Sequence, residues 1–217
     1  MIFRGHSSCK YELKPSVGRI EGYNPEVEKN LFLEFKKKYH LYTSERPQTD
    51  LELLFMAQHY GIPTRLLDWT YNPLIALYFA TDSNDDNCNG KIYMIGLHKS
   101  YNVEELGYNT LTIDDILSIK VCKYIEPYYT DHRYHNQKSL FLLSEKPNKK
   151  FTFAEKETVF IIDRESKGQI RKDLALLGID ESFVYPTLDN LTKDIKKRLK
   201  IVMSKARHCE DIEMSKY

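Results

Sequence analysis

The chain has 217 residues, of which 41% are hydrophobic, and a chain of this length buries a core without needing disulfide bonds. Lysine and arginine number 32 against 31 for aspartate and glutamate, so the formal net charge of +1 excludes a generic polyanion binder, although local basic faces remain possible. The longest apolar run, near Leu74 to Ala80, is too short to cross a bilayer, and no signal peptide is recognisable, so we expect a cytoplasmic protein without a membrane partner.

Several common signatures are absent from the sequence. No two of the four cysteines form a CxxC pair, so neither a zinc ribbon nor a disulfide framework is supported. No GxGxxG, P-loop, GxSxG or HExxH motif occurs. His132 and His135 are spaced like metal ligands but have no cysteine or carboxylate at ligand spacing, and we expect no metal site.

The first part of the chain alternates extended segments with amphipathic helices. Asn24-Pro25 is typical of a helix start, and Thr49 with Glu52 fits a capping box. The predicted elements are a strand at 1–5, a loop at 6–23, a helix from Asn24-Pro25, a helix from Thr49 to Gly61, a strand or extended turn at 64–70 and a short helix from Pro73 to Ala80.

The second part of the chain is richer in strands. Its predicted elements are a loop at 83–90, a strand at 91–97, a short helix at 113–119, strands at 120–127, 139–144 and 157–163, a helix at about 166–177, and a basic helix at about 187–207. Helices flank a run of strands rather than alternating with them, which predicts an α+β fold. Without a repeat or a domain boundary, we expect one domain over 1–217 that includes the last helix.

Four motifs occur in order along the chain. They are Phe3-Arg4-Gly5, residues 56–80 (MAQHYGIPTRLLDWTYNPLIALYFA), residues 133–141 (RYHNQKSLF) and residues 174–191 (LALLGIDESFVYPTLDNL). This arrangement resembles the FRG domain, a bacterial and phage-associated family. In that family the third motif reads R-x-x-A-Q-Q-G-x-F. Here Gln137 matches the first glutamine of the motif, but Lys138 and Ser139 replace the second glutamine and the glycine.

The chain is also similar, more distantly, to the ADP-ribosyltransferase fold, in which an Arg-Gly closes the first strand. That resemblance implies a split mixed β-sheet core flanked by helices, with NAD as the substrate. It implies catalytic roles for Arg4 and Gln137, to which the chemistry of the reaction adds Tyr60. It implies NAD binding by Arg4 and Gly5 at the end of the first strand and by Asp68, Trp69 and Thr70 at the end of the second. From residue chemistry and position, Arg65 is a second candidate for the diphosphate and His59 a further candidate for the site.

These residue types suit the transfer of ADP-ribose. Cleavage of the nicotinamide–ribose bond passes through an oxocarbenium-like transition state. The planar fork of Arg4 binds phosphate or ribose oxygens, and the rings of Tyr60 and Trp69 can face the cationic nicotinamide. Gln137 can bind ribose hydroxyls, but a neutral amide stabilises a cation less than a carboxylate does. The alternatives to it are Glu126, Glu155 and Glu157.

Structural roles compete with these assignments. Arg4 and Arg65 can each pair with Asp68, and Asn72 can be a helix cap. Trp69 can belong to the core, and His59 and Tyr60 can fix the corner before the Gly-Ile-Pro turn.

Three functions follow from the sequence. The first is an NAD-dependent ADP-ribosyltransferase, a toxin or anti-phage effector that modifies RNA, another nucleic acid or protein, with a possible antitoxin partner. The basic last helix and the 16 tyrosines favour an RNA acceptor. The second function is a nucleotide- or nucleic-acid-binding module without turnover. The third is a metal-independent ribonuclease in which His59 or His135 acts with Arg65.

Overall fold

Six strands form one sheet in the computed structural model, which describes residues 1–82, 87–96, 111–127, 132–152 and 157–199. The strands are β1 (Ile2–His6), β2 (Leu66–Thr70), β3 (Gly90–Ile95), β4 (Lys123–Ile125), β5 (Ser139–Leu143) and β6 (Thr158–Ile162). Their order is β4-β5-β2-β1-β3-β6. The α+β class is confirmed, but the expected mixed sheet is wrong, because all described neighbours are antiparallel. Connections as long as these permit either strand direction, so the sequence does not determine it.

Helices lie before, between and after the strands in the chain. They are α1 (Pro25–Lys38), α2 (Asp50–His59), α3 (Pro73–Ala80), α4 (Ile113–Ser118), α5 (His132–Gln137), α6 (Lys167–Leu176), α7 (Glu181–Val184) and α8, the helical residues 188–199. The predicted caps are confirmed: Asn24, Thr49 and Asn72 each accept a hydrogen bond from a backbone N–H of their helix. The full capping box at Thr49 does not form, because the Glu52 carboxylate accepts from the N–H of Gln48 instead. None of the helices in the described ranges has the length and apolar character of a transmembrane segment.

Two helices, α5 and α7, are absent from the sequence-based prediction. They span six and four residues, which is too short for a helical period to emerge. α5 also contains two histidines and an asparagine, which are weak helix formers. Residues 200–207 of the predicted last helix lie outside the described residues, and the single domain over 1–217 stays a prediction.

The sheet is nearly divided between β1 and β2. A single residue pair, Phe3 with Thr70, joins these two strands, whereas five pairs join β1 to β3 and five join β2 to β5. Beyond that pair the two strands separate, and Nη1 of Arg4 donates to the backbone carbonyl of Asp68 across the gap. The gap therefore creates room for side chains in the middle of the sheet.

Apolar side chains cover both faces of the sheet. Leu66 and Phe141 pack with Phe55 of α2 on one face, where the rings of Phe55 and Phe141 stack with centroids 4.7 Å apart. Trp69 and Leu140 belong to a second cluster on the other face. The only tryptophan, Trp69, is 2% exposed and is thus a core residue. This is the structural alternative to a role in stacking on a ligand.

The short apolar helix α3 lies directly on the sheet, backbone against backbone. A Cβ atom on Gly5 would lie 1.9 Å from the carbonyl oxygen of Ala76, and one on Gly90 would lie 2.1 Å from the carbonyl oxygen of Ala80. Side chains of any size are excluded at both positions. The glycine of Phe3-Arg4-Gly5 is therefore required by packing, in addition to lying at the gap.

Replacing Gly5 with alanine is expected to destabilise the protein by about 3 kcal/mol, because α3 has to move off the sheet to admit the methyl group. Urea denaturation measures this change. Gly168→Ala is the matched control, since Gly168 lies on α6 with open space around it, and alanine there is expected to stabilise the helix by up to about 1 kcal/mol. Equal unfolding curves for the two variants would contradict the close approach.

Candidate functional site

A cavity of about 220 Å³ opens where β1 and β2 separate. β5, the helices α2, α3 and α5, and the residue after α7 form the rest of its walls. Its lining includes seven of the nine residues predicted for the site, namely Arg4, Gly5, His59, Asp68, Trp69, Thr70 and Gln137. The two remaining residues, Tyr60 and Arg65, lie elsewhere. Most of the predicted site is therefore brought together at the gap in the sheet.

Arg4 is held rigidly at the edge of this cavity. Its Nε donates to Nε2 of His6 at 3.0 Å, and its Nη1 lies 3.5 Å from Oδ2 of Asp68 in addition to the bond to the Asp68 carbonyl. Burial lowers the pKa of Arg4, and Asp68 opposes that shift. No partner of Nη2 is found within the described part of the chain, so its two N–H groups can serve an anionic ligand.

His6 fixes Arg4 as a neutral imidazole. Burial, together with the positive charges of Arg4 and Lys91, lowers the pKa of His6 to about 2. Because Nε2 accepts the Arg4 bond, the proton is on Nδ1, which donates to the carbonyl of Tyr11 at 3.3 Å. Sequence reasoning assigned His6 to a polar loop and missed this role, since nothing local indicates that it extends β1.

The His6 ring predicts a loss of stability in mild acid. The unfolded chain protonates this histidine near pH 6.5 and the folded chain only near pH 2, so the free energy of unfolding falls as the pH drops below 6.5. By pH 5 the expected loss is about 2 kcal/mol. Comparing urea unfolding of wild type and His6→Gln at pH 7 and pH 5 isolates this part. The exposed His40→Gln is the control, and parallel curves for wild type and His6→Gln would contradict the assignment.

Asp68 presents its carboxylate to the cavity. Its side chain is 58% exposed although its strand lies within the sheet. Nε2 of Gln58 donates to Oδ1 at 2.7 Å, and the hydroxyl of Thr64 donates to the amide oxygen of Gln58. The hydrogen bonds from Thr64 to Gln58 and from Gln58 to Asp68 therefore orient the carboxylate from one side, and Arg4 orients it from the other.

The third motif links the cavity to the segment after it. Nε2 of Gln137 donates to the carbonyl of Val184 at 2.9 Å, and Nδ2 of Asn136 donates to the carbonyl of Phe183 at 2.9 Å. Thr70 adds a bond from its hydroxyl to the backbone carbonyl of Gln137 at 2.5 Å. Gln137 is thus a structural anchor for α7, and only its Oε1 lacks a bond within the residues that the structure describes.

Arg133 and Tyr185 form a wall that sequence reasoning did not assign. The guanidinium carbon of Arg133 lies 4.7 Å from the centroid of the Tyr185 ring, and Nη1 donates to the carbonyl of His59 at 3.3 Å. Burial raises the pKa of Tyr185, which keeps it a neutral phenol. Both residues belong to the third and fourth motifs, but their spacing in the chain gives no sign that they meet.

Tyr60 faces a neighbouring cavity of about 410 Å³ instead of the one that holds Arg4. Its ring is 58% exposed and stacks on His59, with centroids 4.8 Å apart. Phe55, His59 and Tyr134 line both cavities, so the two adjoin across these side chains. The predicted grouping of Tyr60 with Arg4 and Gln137 as catalytic residues is therefore corrected, because Tyr60 lies beyond the shared wall.

Arg65 is enclosed in the core and does not reach either cavity. Its guanidinium is 1% exposed and binds the Glu28 carboxylate through two bonds of 2.9 Å. Nη1 also donates to the carbonyls of Ile116 and Ser144 at 2.9 and 3.4 Å.

The alternative glutamates do not line the cavity. Glu126 accepts a hydrogen bond from the hydroxyl of Tyr71, and Glu157 is exposed beside β6 at the edge of the sheet. Glu155 lies outside the described residues. Asp68 is the one carboxylate among the described residues that line the cavity.

Comparison with known proteins covers the first part of the chain. Residues 1–89 match the family model of the FRG domain, which confirms the recognition of that domain over β1, α1, α2, β2 and α3. No curated protein and no solved structure matches the chain. The first two motifs lie inside the matched range, and the resemblance of the third and fourth motifs stays a prediction.

Proposed function

Starting from the FRG domain of residues 1–89, we propose that the protein is an NAD-dependent ADP-ribosyltransferase whose reaction takes place in the cavity between β1 and β2. The observation that carries this proposal is the convergence of Arg4, Asp68 and Gln137 on the gap where the two strands separate. A split central sheet is also what the resemblance to the ADP-ribosyltransferase fold implies.

The charges of the cavity suit a diphosphate. Among the described residues, two guanidinium groups, from Arg4 and Arg133, and a single carboxylate line it. Nη2 of Arg4 offers two N–H donors in one plane, a geometry that matches phosphate oxygens. Because His6 and Asp68 already immobilise Arg4, a ligand need not order this side chain on binding.

The adjoining cavity suits the other half of a dinucleotide. The exposed Tyr60 ring gives an adenine base a surface on which to stack, and Glu45 and Glu52 line the same space. Carboxylates accept hydrogen bonds from ribose hydroxyls, as they do in other dinucleotide sites. In this arrangement NAD lies across the wall formed by His59 and Tyr134, with nicotinamide on the Arg4 side.

The reaction requires little acid catalysis. The bond between C1′ of the ribose and the nicotinamide nitrogen breaks, the electron pair leaves with neutral nicotinamide, and positive charge develops on the ribose. An acceptor nucleophile then bonds to C1′ and releases its proton. The protein therefore has to clamp the diphosphate, exclude water and stabilise the cation.

The acceptor is proposed to be RNA, another nucleic acid or protein, as expected of a cytoplasmic toxin or anti-phage effector with a possible antitoxin partner. The basic helix gives RNA less support than its sequence indicates. Lys193 and Lys197 pair with Glu181 at 3.5 and 3.1 Å, and Arg198 pairs with Asp180 at 2.6 Å. Much of the positive charge of α8 is thus neutralised within the protein.

The test uses NAD labelled on its adenylate half, incubated with the purified full chain and a cell lysate. The label is then counted separately in the protein and RNA fractions, for wild type and for Arg4→Ala. Transfer by wild type alone supports the proposal and identifies the acceptor class. Saturable NAD binding without transfer or nicotinamide release overturns it in favour of a binding module, and RNA cleavage without NAD in favour of a ribonuclease.

A further inference from the structure

Asp68 occupies an unusual position for a carboxylate. Leu66 and Thr70, which lie on the same face of β2 as Asp68, are 2% and 5% exposed, whereas the Asp68 side chain is 58% exposed. β2 lies between β5 and β1 and is not an edge strand. The exposure therefore arises from the gap between β1 and β2, and the carboxylate faces the space in which the proposed reaction occurs.

The contacts of Asp68 orient the carboxylate without enclosing it. Gln58 donates to Oδ1 at 2.7 Å, and Arg4 lies 3.5 Å from Oδ2. Gln58 is itself oriented, because its amide oxygen accepts a hydrogen bond from the Thr64 hydroxyl. This bond directs the amide nitrogen of Gln58 at Asp68. Preorganisation of this kind lets a charge stabilise a transition state without reorganising during the reaction.

Gln137 is less suited to this task. Its Nε2 is committed to the Val184 carbonyl, and its remaining Oε1 carries only a partial charge. A developing ribosyl cation is stabilised far more by a full negative charge than by an amide dipole. Among the described residues of the cavity, Asp68 alone supplies that charge.

We propose that Asp68 is the catalytic carboxylate of the transferase and that Gln58 is its positioning residue; this inference rests on the proposed function. As the bond from C1′ to the nicotinamide nitrogen breaks, its electron pair leaves with nicotinamide, and the Asp68 carboxylate stabilises the positive charge on the ribose. When the acceptor bonds to C1′, Asp68 takes up the proton that the acceptor loses. No oxidant or reductant is required.

The experiment measures nicotinamide release from NAD by the purified full chain, in the presence of a cell lysate as a source of acceptor. Asp68→Asn retains the size of the side chain and one oxygen acceptor but removes the charge. We expect its kcat to fall about 100-fold, with the dissociation constant for NAD within about threefold of wild type. Gln58→Leu is expected to lower kcat about 10-fold with the same retention of NAD binding, and Glu126→Gln, outside the cavity, to leave kcat unchanged.

The outcomes separate this inference from the proposed function. If wild type releases nicotinamide and Asp68→Asn does so at the same rate, the inference is wrong while the transferase stands. A loss in Gln137→Leu that leaves Asp68→Asn active also overturns it. If wild type itself releases no nicotinamide, both fail. Circular dichroism of Asp68→Asn distinguishes lost catalysis from lost folding, and Asp68→Glu, which restores the charge, is expected to recover part of kcat if the variant fold is intact.

Discussion

Replacing Glu28 with leucine is expected to lower the free energy of unfolding by about 3–5 kcal/mol, because Arg65 is then left as a buried charge without its counterion. The two residues are 1% and 2% exposed, and two bonds of 2.9 Å join them. They connect α1 to the segment that leads into β2, so the loss extends to the frame of the cavity. Urea denaturation followed by far-ultraviolet circular dichroism measures the change.

Two further variants make this prediction specific. Glu34→Gln removes an exposed carboxylate from the same helix, where Glu34 pairs with Lys38, and is expected to change the stability little. The double variant Glu28→Leu with Arg65→Leu removes both charges and is expected to recover only part of the loss, since the carbonyls of Ile116 and Ser144 lose their donor. Similar losses from Glu28→Leu and Glu34→Gln would contradict the role assigned to the buried pair.

Replacing Arg4 with lysine is expected to lower kcat/KM for nicotinamide release by about 100–1,000-fold, or about 2.7–4 kcal/mol. Lysine retains the positive charge but has neither the Nε–H that His6 accepts nor the planar fork that fits a diphosphate. The charge then lies on a flexible stem and is no longer fixed at the cavity. Initial rates over a range of NAD concentrations give kcat and KM separately.

Arg164→Lys is the matched control for this substitution. Arg164 is 55% exposed beside β6, away from the cavity, and its nearest ion pair, with Glu165, spans 3.8 Å. The same chemical change there is expected to leave kcat/KM within a factor of two. Equal activity of wild type and Arg4→Lys would remove Arg4 from the site, whatever the other residues of the cavity do.

The helices and strands with strong local signals could be predicted from the sequence. The starts of three helices could be predicted from their N-cap residues, Asn24, Thr49 and Asn72, because capping depends on residues within three positions. α5 and α7 could not be predicted, since contacts of Asn136 and Gln137 with the carbonyls of Phe183 and Val184 stabilise them across about 47 positions.

The composition of the site was predictable only where a motif places residues on one strand. Asp68 and Thr70 both lie on β2, and Arg4 lies opposite them because β1 pairs with β2. Arg65 occurs in the same motif, yet it turns into the core, because Glu28 from a distant helix provides its counterion. The direction in which a side chain points, and the partner that it meets there, depend on tertiary packing that no local pattern records.

Nicotinamide release from NAD by purified wild-type protein, measured by liquid chromatography, tests the central claim most directly. If the cavity between β1 and β2 is the site of an ADP-ribosyltransferase, wild type releases nicotinamide in proportion to enzyme concentration, and Arg4→Lys, folded to the same extent, releases about 100-fold less. No release by wild type at millimolar NAD, in the presence of lysate as a source of acceptor, would contradict the claim.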